Sequence, residues 1–217
     1  MGTDAGGMGI DADLPRRKSI KHFDRPLQPR LLTFSCVRRR PLLLDDTHRS
    51  IVCDSIGHAA IRHRVVLLAW VLMPEHVHLL CLPWHGASPV SALLRSIKQP
   101  CSLRIRHHLE ATDSHLVEAL SIETRPGTHG FRFWQAGPGH DRNIRSERGL
   151  IDAIRYVHNN PVRRHLARTP TDWEWSSAGQ WAGEEAADSL LPVVRWYPSR
   201  GLEWDGPDAW FGTGRSQ

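Results

Sequence analysis

The sequence predicts an α+β domain built on an antiparallel sheet, with helices on one face and the other face left for a ligand. Three observations carry this. Strand-like and helix-like segments follow one another as β-α-β-β-α-β, with a further helix behind them, the order of a split βαβ unit of the ferredoxin-like or RRM-like kind. The second and third strands, "RVVLLAWVL" and "HVHLLCL", are separated only by "MPE", which favours a hairpin. The 217 residues, 40% of them hydrophobic, suit one domain with extensions.

Residues 1–27 are rich in Gly, Asp and basic residues without an apolar period, and predict a mobile tail. "RLLTFSCVRRRPLL" reads as the first strand, closed by a basic turn and Pro41. Asp45 or Asp46 can cap a helix to about His63, with Ile51, Ile56, Ala59 and Ala60 inward. After the hairpin, Ser88 or Ser91 opens a second helix, "SPVSALLRSIKQPCSLRIRHHL", in which Pro100 predicts a kink or a break. Residues 110–130 read as a loose connection, and "FRFWQ" as the fourth strand. A last helix runs from about Ser146 to Asn160, where Pro161 ends or bends it. The domain is thus expected over residues 28–182. Residues 183–217 form an extension, and the region from Trp173 to Trp210 holds six of the nine tryptophans, expected to anchor it to the domain.

The net charge of +5 and a pI near 9.4 favour an anionic partner. Cys36, Cys53, Cys81 and Cys101 form no C-x-x-C pair and fit neither a zinc ribbon nor a dense disulfide framework, so a reducing, cytoplasmic setting is expected. The first ten residues lack the basic and apolar regions of a signal peptide, and the apolar run near Val65–Met73 is too short to span a bilayer, so no membrane partner is expected.

Inside "AWVLMPEHVHLLCLP" two histidines interrupt an apolar run. Residues i and i+2 of a strand share a face, so His76 and His78 project together and can grip one divalent metal. Two ligands do not complete a site, and spacing alone is equally compatible with two partly exposed histidines that bind nothing. On the last helix, in "AIRYVHNNPVRR", Tyr156 and Asn160 stand four apart on one face. A phenol with help from a metal or base is a usable nucleophile, and Asn160 offers a hard carbonyl oxygen. Read by itself, that pair is more simply a tyrosine packed on the sheet and an asparagine capping its helix.

Taken together, "VLMPEHVHLL", "FWQ…HDRNIRS" and "YVHNNPVRRHLA…DWEWSSA" resemble the IS200-like single-tyrosine transposases, most closely their branch associated with repetitive extragenic palindromes (REP). The resemblance runs from about Leu32 to Ala178 and implies the HUH endonuclease fold. It implies that His76 and His78 are the HUH metal ligands, with Val77 as the apolar middle residue. Tyr156 is then the nucleophile and Asn160 the third ligand, with His158 as runner-up. Glu75 stands where many relatives have Asn. The implied cofactor is Mg²⁺ or Mn²⁺. The implied activity is cleavage and joining of single-stranded, hairpin-forming DNA through a 5′-phosphotyrosine, by a monomer or a homodimer.

Phosphate contacts are expected from Lys98 on the second helix, among Arg95, Arg104 and Arg106, and from Arg142, Arg145, Arg163 and Arg164 around the tyrosine helix. A solvated basic face serves equally well for the second-helix group. Two other functions fit the same motifs: a metal-dependent hydrolase that uses water, and a non-catalytic DNA-binding protein derived from a transposase.

Overall fold

The computed structural model describes residues 26–183, 191–198, 201–203, 206 and 210. Most of the expected N-terminal tail, much of the C-terminal extension and Trp204 lie outside these residues.

The core is a four-stranded antiparallel sheet of β1 (Arg30–Ser35), β2 (Val65–Met73), β3 (His76–Pro83) and β6 (His140–Asn143), in the order β2-β3-β1-β6. Helix α1 (Asp46–Arg62) follows β1, and α2 (Val90–Ala111) follows β3. Strand alternation sorts the side chains into two cores. Leu32, Phe34, Leu67, Trp70, Leu72, Val77 and Leu79 meet α1 and α2 on one face. Leu31, Val66, Leu68, Val71, Leu80 and Leu82 meet α4 (Glu147–His158) on the other. The split unit therefore keeps both of its helices on one face, and the further helix, which carries the tyrosine, lies on the face left for a ligand.

Asp45 caps α1, its Oδ1 accepting from the His48 N–H at 2.9 Å. Ser146 caps α4 by accepting from the Gly149 N–H at 3.1 Å. Two expectations are corrected. First, α2 is helical throughout residues 90–111, so Pro100 does not break it. Pro100 is exposed, while Leu93, Leu94 and Ile97 before it and Cys101, Ile105 and Leu109 after it enter one core, and this packing outweighs the lost backbone bond. Second, "FRFWQ" is not the fourth strand. Phe131 ends β5 (Thr128–Phe131), which pairs only with β4 (Ser121–Arg125), just after the short α3 (Leu116–Ala119). Phe133 and Trp134 are adjacent yet both enter the α1/α2 core, which a regular strand forbids. The sheet's fourth strand is the polar "HDRN" of β6. It is held to β1 by the buried, bidentate Arg30–Asp141 ion pair, with Arg30 Nε 3.0 Å from Asp141 Oδ1.

The far edge of the sheet, β2, is closed by the C-terminal region, where α5 (Asn160–Arg163) leads to α6 (Ala178–Ala182) and the hairpin of β7 (Arg195–Tyr197) and β8 (Gly201–Glu203). Indole N–H groups donate to successive β2 carbonyls: Trp210 to Val65, Trp181 to Leu68 and Trp173 to Leu72. The Val194 and Ser177 backbone N–H groups donate to Leu67 and Trp70 carbonyls, and Leu72 N–H donates to Trp175. An open strand edge invites pairing with another chain, and here bulky amphipathic side chains occupy it. All four cysteines are free and buried, and burial pushes the thiols of Cys36, Cys53 and Cys81 up to about 12. No helix among the described residues is long and apolar enough to cross a membrane.

Candidate active site

The β2–β3 hairpin turns through Pro74 and Glu75, with Met73 opposite His76. Backbone bonds grip this turn from outside: Leu43 N–H donates to the Pro74 carbonyl at 2.8 Å and Cys36 N–H to the Glu75 carbonyl at 2.9 Å. His76 and His78 follow on β3 and face the α4 side of the sheet with Leu80 and Leu82. Both are buried, at 4% and 5% exposure. Their Nε2 atoms stand 3.0 Å apart.

The remaining ring nitrogens are each committed. His76 Nδ1 lies 3.0 Å from Glu75 Oε1, and His78 Nδ1 lies 2.7 Å from Thr33 Oγ1 on β1. A carboxylate only accepts, so Nδ1–H of His76 donates to it and the Nε2 lone pair is left pointing at its neighbour. Thr33 can do the same for His78. This is how a metal-ligating histidine is normally held. Two cis ligands at about 2.1 Å from an octahedral ion stand about 3.0 Å apart, so the spacing of the pair fits a Mg²⁺-sized cation. Burial, and next the neighbouring His76, push His78 down to about 3. Burial also lowers His76, and Glu75 opposes it. Both rings are therefore neutral at pH 7, the form that binds metal.

Glu75 is buried and gathers cations. Its Oε1 accepts from Arg164 at 2.7 Å and Arg39 at 3.2 Å, besides His76. Burial works against its charge, but the Arg164 hydrogen bond and His76 outweigh this and hold the carboxyl below its ordinary range. Tyr156 sits on α4 with its ring centroid 5.2 Å from that of His78, at 75°. The tyrosine is 37% exposed, and the Arg163 guanidinium lies 5.7 Å from its ring centroid. The strand and helix carrying the two motifs thus meet.

Asn160 is buried at the start of α5, one turn beyond Tyr156, and its Nδ2 donates to the Tyr156 carbonyl at 3.4 Å. His158 is turned elsewhere. Its Nε2 lies 2.9 Å from Ser177 Oγ beside Trp181, against the β2 edge. The basic residues divide. Arg163, Arg164 and Arg142 lie on the tyrosine side; Arg142 is exposed and stands opposite Leu31 of β1, on the α4 face. Arg145 is exposed and lines a cavity of about 660 Å³ with Trp84, Leu150 and Trp196. Lys98 lies on the opposite side of the sheet, where its ammonium donates to the Gly137 carbonyl at 2.9 Å and sits 5.4 Å from the Phe34 ring centroid. Arg104 and Arg106 of α2 pair with Asp54 and Glu110.

Two neighbours escaped the sequence reading. Thr33 and His140 lie in register with His78 across β3, β1 and β6, on one face. Only the pairing of strands far apart in sequence reveals them, because neither carries a local signal. Asp45, His48 and His108 are the one group of three His or carboxylate donors close enough to share an ion among the described residues, and it lies away from this site.

No protein-family model and no curated protein matches the chain. Among solved structures, a REP-associated tyrosine transposase bound to a REP hairpin matches 81% of this chain and 89% of its own, at 19% identity and a TM-score of 0.58. A crystal structure from Deinococcus radiodurans, named for a transposase, covers 66% of this chain and 97% of its own at 19% identity, but its TM-score of 0.37 carries no weight. The mixed α+β sheet with its flanking helices is therefore the fold of that REP-associated tyrosine transposase.

Proposed function

We propose that this chain is an IS200-like transposase of the REP-associated branch, which cuts and rejoins hairpin-bearing single-stranded DNA with Tyr156 as nucleophile. One observation carries the reading: two neutral imidazoles present their Nε2 atoms 3.0 Å apart, with the only tyrosine of the tyrosine helix 5.2 Å from the nearer ring. A nucleic-acid partner agrees with the net charge of +5 and with Arg142, Arg145, Arg163 and Arg164 around that face.

His76 and His78 would hold a divalent ion, Mg²⁺ or Mn²⁺, with the Asn160 carbonyl oxygen as the third ligand. Such an ion, when bound, neutralises charge on the scissile phosphate and polarises it. The protein's own groups do the rest. Glu75 and Thr33 fix the imidazole tautomers. Arg163 sets a positive charge beside the tyrosine ring, where an incoming phosphate would lie. The oxygen of Tyr156, a residue open to solvent, attacks phosphorus and gives its proton to water; the P–O3′ bond breaks, and the leaving 3′ oxygen takes up a proton from water. A 5′-phosphotyrosine and a free 3′-hydroxyl result, and the reverse step joins strands without a nucleotide cofactor.

The test is a covalent adduct. Wild-type protein with hairpin-bearing single strands and Mn²⁺ should give a DNA-linked band on a denaturing gel. Tyr156→Phe should abolish it while hairpin binding stays within about threefold. Cleavage that survives Tyr156→Phe would assign water as the nucleophile. Absence of any band over a broad set of hairpins would leave a DNA-binding protein without catalysis.

A further inference from the structure

On the α1/α2 side of the sheet, away from the tyrosine, three potential ligands converge. One donor atom from each of Asp45, His48 and His108 lies within 4.8 Å of the other two. Asp45 caps α1, His48 lies in the first turn of that helix, and His108 in the last turn of α2. His48 carries the argument. It is 2% exposed, and its Nδ1 stands 2.8 Å from the Leu42 carbonyl. A carbonyl only accepts, so Nδ1 holds the proton and Nε2 is a bare lone pair. That Nε2 is buried and has no hydrogen-bond partner. Buried acceptors are seldom left so, and a carbonyl on the far nitrogen is the arrangement that prepares a histidine for a metal.

We infer that Asp45, His48 and His108 form a second divalent-metal site of zinc class. Two imidazoles and a carboxylate are a usual zinc set. Asp45 keeps one oxygen on the His48 N–H and has a second to offer. The His108 ring stands at 89° to that of His48, centroids 5.9 Å apart. A cavity of about 370 Å³, walled also by Leu44, Thr112 and Leu116, leaves room for a water as fourth ligand. Arg40 borders it, but its Nη1 is held by the Ala119 carbonyl. The ion ties the start of α1 to the end of α2. It also braces the Leu42–Leu43 segment, whose Leu43 N–H holds the Pro74 carbonyl beside Glu75.

Zinc binding to the chelator-stripped full chain tests this, with the histidine pair removed by His76→Ala/His78→Ala. That variant should still bind one equivalent of Zn²⁺, and Co²⁺ in its place should show the visible bands of a low-coordinate site. Adding His108→Gln, or Asp45→Asn, which retains the cap, should weaken zinc at least tenfold. If the histidine-pair variant does not fold by circular dichroism, His108→Gln in the otherwise native chain should lower bound zinc by one equivalent. No zinc in the folded histidine-pair variant, or zinc untouched by His108→Gln and Asp45→Asn, overturns the site and leaves His48 as a core histidine. Zinc lost with the histidine pair alone places the metal at that pair and overturns the second site, while failure of the adduct assay bears only on the tyrosine site.

Discussion

His158 offers a quantitative test of how the C-terminal region is held. Its ring is buried at 7% exposure between α4 and the β2 edge, beside Ser177 and Trp181, and burial pushes it down to about 4. An unfolded histidine titrates near 6.5, so the folded value is depressed. The sign follows from linkage. The neutral ring contributes its full stability above pH 6.5, and that contribution drains away as pH falls from 6.5 towards 4, because the unfolded chain binds the proton first. At pH 5 the unfolded ring is almost all protonated and the folded ring about one tenth, which costs about 2 kcal/mol; the full window costs about 3 kcal/mol. His158→Gln keeps a polar partner for Ser177 and removes the titration. Urea unfolding with chelator present, at pH 7.5 and pH 5, should show the wild type losing about 2 kcal/mol more than the variant. His76 and His78 titrate in both proteins and cancel in the difference. Parallel losses in the two proteins would refute the burial argument.

Other substitutions probe the site and the sheet. Glu75→Gln removes the charge that Arg39, Arg164 and His76 share, and should weaken Mn²⁺ binding by about 10- to 100-fold in calorimetry while the fold persists. Gly139→Ala should release β6 from β1. Gly139 has φ +81°, and an added Cβ would lie 2.1 Å from the Thr33 carbonyl oxygen, so a loss of about 2 kcal/mol or more and faster amide exchange in His140–Asn143 are expected. Trp181→Phe deletes the donor to the Leu68 carbonyl and should cost about 1–2 kcal/mol in urea unfolding, with concentration-dependent association if the β2 edge opens.

The sequence by itself determined whatever depends on local period and spacing. Alternation along β3 placed His76 and His78 on one face, the "MPE" turn made the hairpin, the Asp45–Asp46 pair announced α1, and Tyr156 fell on a helix four residues before Asn160. These are properties of a strand or helix wherever it lies in space. Tertiary structure decided what depends on pairing between distant segments. The polar "HDRN" became a sheet strand because Asp141 meets the buried Arg30. Pro100 stayed inside α2 because a core lies on both sides of it. Lys98, basic and helical like its neighbours, was drawn to Phe34 and Gly137 on the side away from the tyrosine. Glu75, only the residue before a motif in the sequence, became the carboxylate that orients His76 and holds Arg39 and Arg164. Local chemistry names the groups able to act; their partners are fixed by long-range register and by burial, which removes water and obliges each buried polar atom to find another.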